Sequence, residues 1–334
     1  MIRPRVLVCL GLGTWLVASV SAQDPPPPGP SLPPVWARAE GFNAPESAYY
    51  DAASNAVFVS SINGQILEKD GNGYISRLTP DGTVVAAQWV SGLNAPKGMR
   101  SVGGTLWVSD IDEVVGIEIA SGRITSRVPV EGAEFLNDLA TAPDGTIYVS
   151  DSSLSRIYMV KDGRSSVFVE GGEVVEQPNG LLVDGARLIL GTIGPAAPAR
   201  GRGSAAGPAG ARGDGARGAG AGDAPPAGAR GRGPGGPGGH LFAFDLQTKQ
   251  RTQLTTQPVG GIDGIEPDGQ GGLLVTDVIG SRLLHVSASG EVRVLTQFTA
   301  GGADFGYIAA RRMAIVPFLF GNNVAAYDLS AALR

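Results

Sequence analysis

Along the chain, a polar opening runs six times into a short apolar segment, then a turn, then a further strand-like segment. The apolar segments are Val57-Phe58-Val59, Leu106-Trp107-Val108, Ile147-Tyr148-Val149, Leu188-Ile189-Leu190, Leu273-Leu274-Val275 and Met313-Ala314-Ile315-Val316. They are too short for helices and rich in β-branched and aromatic residues, so they predict strands. The openings, expected as turns, are Pro45-Glu46-Ser47, Pro96-Lys97-Gly98, Leu136-Asn137-Asp138, Pro178-Asn179-Gly180, Ile262-Asp263-Gly264 and Ala303-Asp304-Phe305. Pro143-Asp144-Gly145 and Pro267-Asp268-Gly269 supply the positive φ of tight hairpins. Arg156-Ile157-Tyr158-Met159 and Arg282-Leu283-Leu284-His285 are examples of the strands that follow.

The openings are spaced by 51, 40, 42, 84 and 41 residues. Setting aside a 45-residue tract from Pro195 to Gly239 turns the long interval into 39. The first interval keeps about ten extra residues, near Lys69 to Tyr74. A period of about 40 with several strands per repeat is that of a β-propeller. The expected fold is therefore all-β: a six-bladed β-propeller with four-stranded blades, one domain over 35–334. Trp36 to Gly41 reads as a strand ahead of the first repeat, and the last repeat has little room for an outer strand. The N-terminal strand is thus expected to complete the sixth blade and close the ring.

Composition removes alternatives. With 51 Gly and 24 Pro in 334 residues an all-helical fold is excluded, since each interior Gly costs a helix about 1 kcal/mol. The tract 195–239 holds 16 Gly, 7 Pro and 6 Arg and no large apolar residue, so it is expected to be a disordered insertion in blade 4. Residues 1–22 read as a signal peptide: Arg3 and Arg5, an apolar Val6–Val20, and Val20-Ser21-Ala22 for cleavage. This predicts a secreted or periplasmic protein with no membrane span, followed by a Pro-rich spacer at 23–34. Cys9 leaves with the leader, so neither disulfides nor thiol chemistry is expected. Losing two arginines takes the formal charge from −5 to −7, which argues against nucleic acid as a partner. A monomer acting on a small molecule is the expectation.

The second residue of each opening lies where an innermost strand begins, at one mouth of the central channel. These residues are Glu46, Lys97, Asn137, Asn179, Asp263 and Asp304, all polar or charged. Converging carboxylates repel unless a cation or proton separates them, and carboxylates with carboxamides are the hard oxygen donors that Ca²⁺ takes. The alternative is a ring of solvated polar groups around a wet channel.

With Pro45-Glu46, Leu136-Asn137-Asp138, Pro178-Asn179-Gly180 and Ile262-Asp263-Gly264 in successive register, the chain resembles the senescence-marker-protein/gluconolactonase family. Paraoxonases and strictosidine-synthase-like proteins are more distant relatives. The resemblance implies a divalent metal on Glu46, Asn179 and Asp263, near Asn137, with Asp138 and Asp304 also lining the channel. Calcium is the first choice, with zinc, magnesium or manganese as alternatives. It further implies hydrolysis of a lactone or ester, the metal polarising the carbonyl and Asp263 acting as general base. Two positions depart from the pattern: Phe135 stands where many members carry Arg, and Lys97 brings an ammonium to the channel. Lys97 would repel the metal, pair with Asp304 or Glu46, or assist an oxyanion. No Gly-x-Ser-x-Gly elbow is present. His285 is expected to be structural, as are Asp110, Asp151 and Asp277, which recur at equivalent strand ends. The competing function is a non-catalytic scaffold propeller of the NHL-like kind.

Overall fold

A computed structural model describes residues 30–172, 174–194 and 238–334. The expected leader, the first part of the spacer and residues 195–237 of the insertion lie outside the described residues. The described chain forms six antiparallel sheets of four strands each, and they are the blades of a propeller. Among the described residues no helix is long and apolar enough to cross a membrane.

All six predicted apolar segments lie in the second strands of their blades, Ala56–Ser61, Thr105–Asp110, Ile147–Asp151, Arg187–Thr192, Leu273–Asp277 and Met313–Phe318. Their side chains are buried, apart from the half-buried Trp107 and Leu273, because each blade is covered by its neighbours on both faces. Val57 and Val59 of blade 1 pack with Ile315, Val324 and Ala326 of blade 6, and Phe58 and Ile75 pack with Met99, Leu106 and Val108 of blade 2. Comparable apolar clusters lie between the remaining neighbours. The core is therefore distributed between blades, and every blade depends on its neighbours for burial.

Ring closure is as expected. Trp36–Arg38 pairs antiparallel with Asn323–Asp328 as the outer strand of blade 6. Blade 6 is joined to blade 1 on the inner side too: Ser47 and Asp304 form a parallel bridge, with Ala48 N donating to Asp304 O at 3.0 Å and Asp304 N to Glu46 O at 3.1 Å. Upstream of the closing strand, Gln297 N donates to Pro30 O and Leu32 N to Thr296 Oγ1. The last residues of the Pro-rich spacer therefore lie along blade 5. Gly239, at the end of the tract, bridges Gly260.

The openings are not turns. Five of them are the first residues of the inner strands Pro45–Asp51, Pro96–Val102, Leu136–Thr141, Pro178–Asp184 and Ile262–Pro267, and each strand carries a register shift just inside. Glycine follows the ring residue in blades 2, 4 and 5 because the next blade approaches closely there. A Cβ on Gly98 would stand 2.3 Å from Asp138 Oδ1 and 2.6 Å from Asp138 Cα. We expect Gly98→Ala to destabilise the protein by about 3 kcal/mol, read as a lowered melting temperature.

Asp110, Asp151 and Asp277 do cap turns. Asp110 accepts from Asn94 N and Ala95 N, while Asp277 accepts from Gly261 N and Gly280 N. Asp151 accepts from Glu134 N, Phe135 N, Ser153 N and Leu154 N. Each aspartate ties its own blade to the connector entering it, which fixes the start of the inner strand and hence the ring residue. Arg282 pairs with Asp277, but Arg156 pairs with Glu170 instead of Asp151.

Candidate active site

The six ring residues are brought together and buried, Asn137 being the most accessible at 8% and Lys97 and Asp304 the least at 1%. This excludes a ring of freely solvated groups. Burial first, and then the negative charge of Asp263, push the Glu46 carboxyl well above its usual range. Asn179 Nδ2 donates to Asp263 Oδ1 at 3.2 Å, turning the Asn179 carbonyl oxygen away from Asp263. Asn137 Nδ2 donates to Ser152 Oγ at 3.2 Å, and that hydroxyl donates to Pro178 O at 2.6 Å.

Lys97 does not pair directly with a carboxylate. Its Nζ donates to Ala95 O at 3.0 Å and Ile66 O at 3.2 Å, and lies 4.9 Å from the centre of the Phe135 ring. Phe135 thus supports the ammonium by a cation–π contact. Ile66 belongs to the segment between Ser61 and Gly73, where the extra residues of the first repeat fall. Burial lowers the Lys97 pKa to about 8, against the attraction of Glu46 and Asp110.

Pairing with Asp304, one of the alternatives left open for Lys97, is made instead by Arg100, which the sequence reasoning missed. Arg100 Nη1 stands 3.4 Å from Asp304 Oδ2, and Nη2 stands 3.5 Å from Glu266 Oε1. Ser47 Oγ donates to the same Asp304 oxygen at 2.6 Å. Asp138 is held in this layer by Leu139 N and Leu181 N, each donating at 2.7 Å. Arg100 and Glu266 each lie three residues beyond a ring residue, in Lys97-Gly98-Met99-Arg100 and Asp263-Gly264-Ile265-Glu266. A charge recurring at that offset in an inner strand was the available signal.

Burial and the Asp304 charge push Asp263 up to about 8, and burial pushes Glu266 up to about 7 against the pull of Arg100. Unfolded carboxyls titrate near 4, so in the absence of a bound cation the folded state holds the extra protons between about pH 4 and 8. Stability is therefore fully present below that window and lost as pH rises through it. With chelator in the buffer, the melting temperature should fall on the order of 5 °C between pH 5 and 8.5, measured by scanning calorimetry.

Whether this donor set suits a cation is decided by its unpartnered atoms. Glu46 Oε2 and Asn179 Oδ1 are buried acceptors with no hydrogen-bond partner. Buried oxygens of this kind call for a donor or a cation. Among the described residues no three carboxylate, histidine or cysteine groups stand together as an ion site. The set is instead mixed, with Glu46, Asp263 and carboxamide oxygens, and that chemistry fits a hard oxygen-seeking cation.

No family model matches the sequence, and no curated protein matches it. Solved structures do. A gluconolactonase from Xanthomonas campestris superposes with a TM-score of 0.58 at 16% identity, over 90% of this chain and 98% of that one. The likeness is one of fold. A catalytically inactive virginiamycin B lyase from Staphylococcus aureus, solved with quinupristin, gives 0.52 at 11% identity over 88% and 98%. A streptogramin B lyase gives 0.52 at 8% over 87% and 96%. These likenesses, too, are of fold alone.

Proposed function

We propose that the chain is a metal-dependent hydrolase of a lactone or ester, and that Glu46, Asn179 and Asp263 hold the cation with Asn137 beside it. One observation carries this: two carboxylates and two carboxamides from four blades converge, buried, where the inner strands begin, with acceptor oxygens left unpartnered. The fold shared with a gluconolactonase supports the same reading. A bound divalent cation would supply Lewis acidity toward the substrate carbonyl.

The protein groups then have distinct parts. Asp263 Oδ1 is engaged by Asn179, which leaves Oδ2 to take the proton of an attacking water. Lys97 spends two N–H groups on backbone carbonyls and keeps the third for negative charge developing on the substrate oxygen. The Asn137–Ser152–Pro178 chain fixes the Asn137 carboxamide against rotation, so its oxygen stays aimed. Because Asp263 must lose a proton to bind a cation, affinity should rise with pH up to about 8. Calcium titrated calorimetrically into the chelator-stripped protein should bind at one ion per chain, releasing protons at pH 7. Absence of binding for calcium, magnesium, manganese and zinc alike would overturn the proposal.

A further inference from the structure

Single apolar side chains on a protein surface are ordinary, but a concentration of them beside a site is not. Among the described residues eight large apolar side chains are exposed, and four of these belong to or adjoin the outer strands of blades. The other four are Leu67, Val174, Ile279 and Phe320. All four lie on connections at the end of the channel where the ring residues stand, and none lies on a connection at the opposite end. The exposed apolar surface is therefore gathered around one mouth.

An apolar cluster at the mouth carries this surface to the ring. Whereas the other clusters fill the spaces between neighbouring blades, this one joins Ile62, Ala95 and Ile111 with Ala44, Ile66 and Leu319, from the connections of blades 6, 1 and 2. Ile66 belongs to it by its side chain, and its carbonyl oxygen accepts from Lys97 Nζ at 3.2 Å. Leu67 follows in the chain, 49% exposed, and the half-buried Phe135 ring stands against the same ammonium. The segment bearing Ile66 and Leu67 is held at several points. Ile62 N donates to Ala44 O and Asn63 N to Asn43 O, both at 3.1 Å, while Gly71 N donates to Asn94 Oδ1 at 3.2 Å and Lys69 pairs with Asp112 at 2.5 Å. Its apolar side chains are thus positioned before any ligand arrives.

We infer that Leu67 and Phe135, with Ile66 anchoring the segment, form an apolar shelf that takes the alkyl or aryl substituent of an uncharged lactone or ester. The inference rests on the hydrolase reading and gives it a substrate class. A substrate oxygen that meets the remaining N–H of Lys97 has Phe135 and the Ile66–Leu67 segment beside it, so a hydrocarbon group attached near that oxygen leaves water there. A polyhydroxylated ring gains nothing from the shelf, because its hydroxyls lose water without finding partners. Leu67 and Phe135 determine specificity and take no part in proton transfer.

The test separates binding from turnover by using 3-alkylcyclopentanones, which share the shape of γ-alkyl lactones but have no ester bond to cleave. Titrated calorimetrically into the protein in calcium buffer, the octyl ketone should bind on the order of fiftyfold more tightly than the ethyl ketone, about twofold per methylene for a chain covered on one side. Leu67→Asp and Phe135→Ser should each cut that ratio by about fivefold or more, and Leu67→Met should keep it. Val292→Asp, which alters an exposed apolar residue on the outer strand of blade 5, should also keep it. Circular dichroism checks the fold of each variant, and Leu67→Asp, at an exposed position, decides the matter if Phe135→Ser does not fold. A ratio near one in the parent overturns the inference, as does a ratio that Leu67→Asp leaves unchanged or that Val292→Asp lowers equally. With γ-alkyl lactones as substrates, kcat/KM should rise with chain length in the same order. Hydrolysis indifferent to chain length overturns the shelf and leaves the hydrolase standing. Chain-length-dependent ketone binding without hydrolysis supports the shelf and contradicts the hydrolase.

Discussion

Replacing Asp263 with Asn should lower hydrolysis of a lactone or ester substrate by about 10³-fold while leaving the fold intact. The substitution keeps the shape and the Oδ1 acceptor for Asn179, so the local geometry survives. It removes the oxygen that would accept the proton from water, and it removes one of two carboxylate charges opposite the proposed cation. The loss should fall mainly on kcat, with the pH profile flattened on its acidic side. Stability should not suffer. Asp263 titrates at about 8 because burial and the Asp304 charge disfavour its ionised form, so a neutral carboxamide relieves that conflict in the cation-free protein. A melting temperature equal to or above that of the parent, together with the kinetic loss, separates a chemical role from a structural one. Full activity in Asp263→Asn would remove Asp263 as the base.

Glu46→Gln should weaken cation binding by on the order of 10²-fold, and it should reverse sign in stability depending on the metal. In chelator at pH 8 the parent pays for burying Glu46 against Asp263, and the variant should melt at or above the parent. With saturating calcium the parent gains the binding free energy, about 2.7 kcal/mol at a hundred times Kd, and the order of melting temperatures should invert. A purely structural Glu46 would give a variant that is less stable under both conditions. Paired thermal melts in chelator and in calcium read this directly, and an unchanged calcium affinity would exclude Glu46 as a ligand.

The architecture was legible because a propeller repeats. Burial between blades requires an apolar second strand every 40 or so residues, and Val57 to Val59 and its five counterparts mark that period whatever the loops do. Closure by Trp36–Arg38 could be read from the short last repeat. The ring residues were legible for the same reason, as one register position recurring in six blades. The local conformation of the openings was not. Asn-Gly and Asp-Gly usually mark turns, but Gly98, Gly180 and Gly264 are interior to strands, and what they accommodate is the backbone or side chain of the next blade. That is a contact between segments tens of residues apart, and no local pattern carries it. Arg100 was hidden similarly. Its partners Glu266 and Asp304 are more than 160 residues away along the chain, and only the closed ring makes blade 2 face blade 5. Lys97, by contrast, stands out in the sequence, but its partners Ile66 and Phe135 lie more than 30 residues away on either side and meet it only in the folded ring.

The most direct test of the central claim is hydrolysis of a panel of lactones and aryl esters by the purified chain, measured before chelation, after chelation and after calcium is restored. At least one substrate should be turned over, with turnover abolished by chelator and recovered with calcium or another divalent ion, and in Glu46→Gln recovered only at calcium concentrations on the order of a hundredfold higher. Turnover indifferent to chelator and to Glu46→Gln would contradict it, as would no turnover of any substrate by protein shown to be folded and metal-loaded.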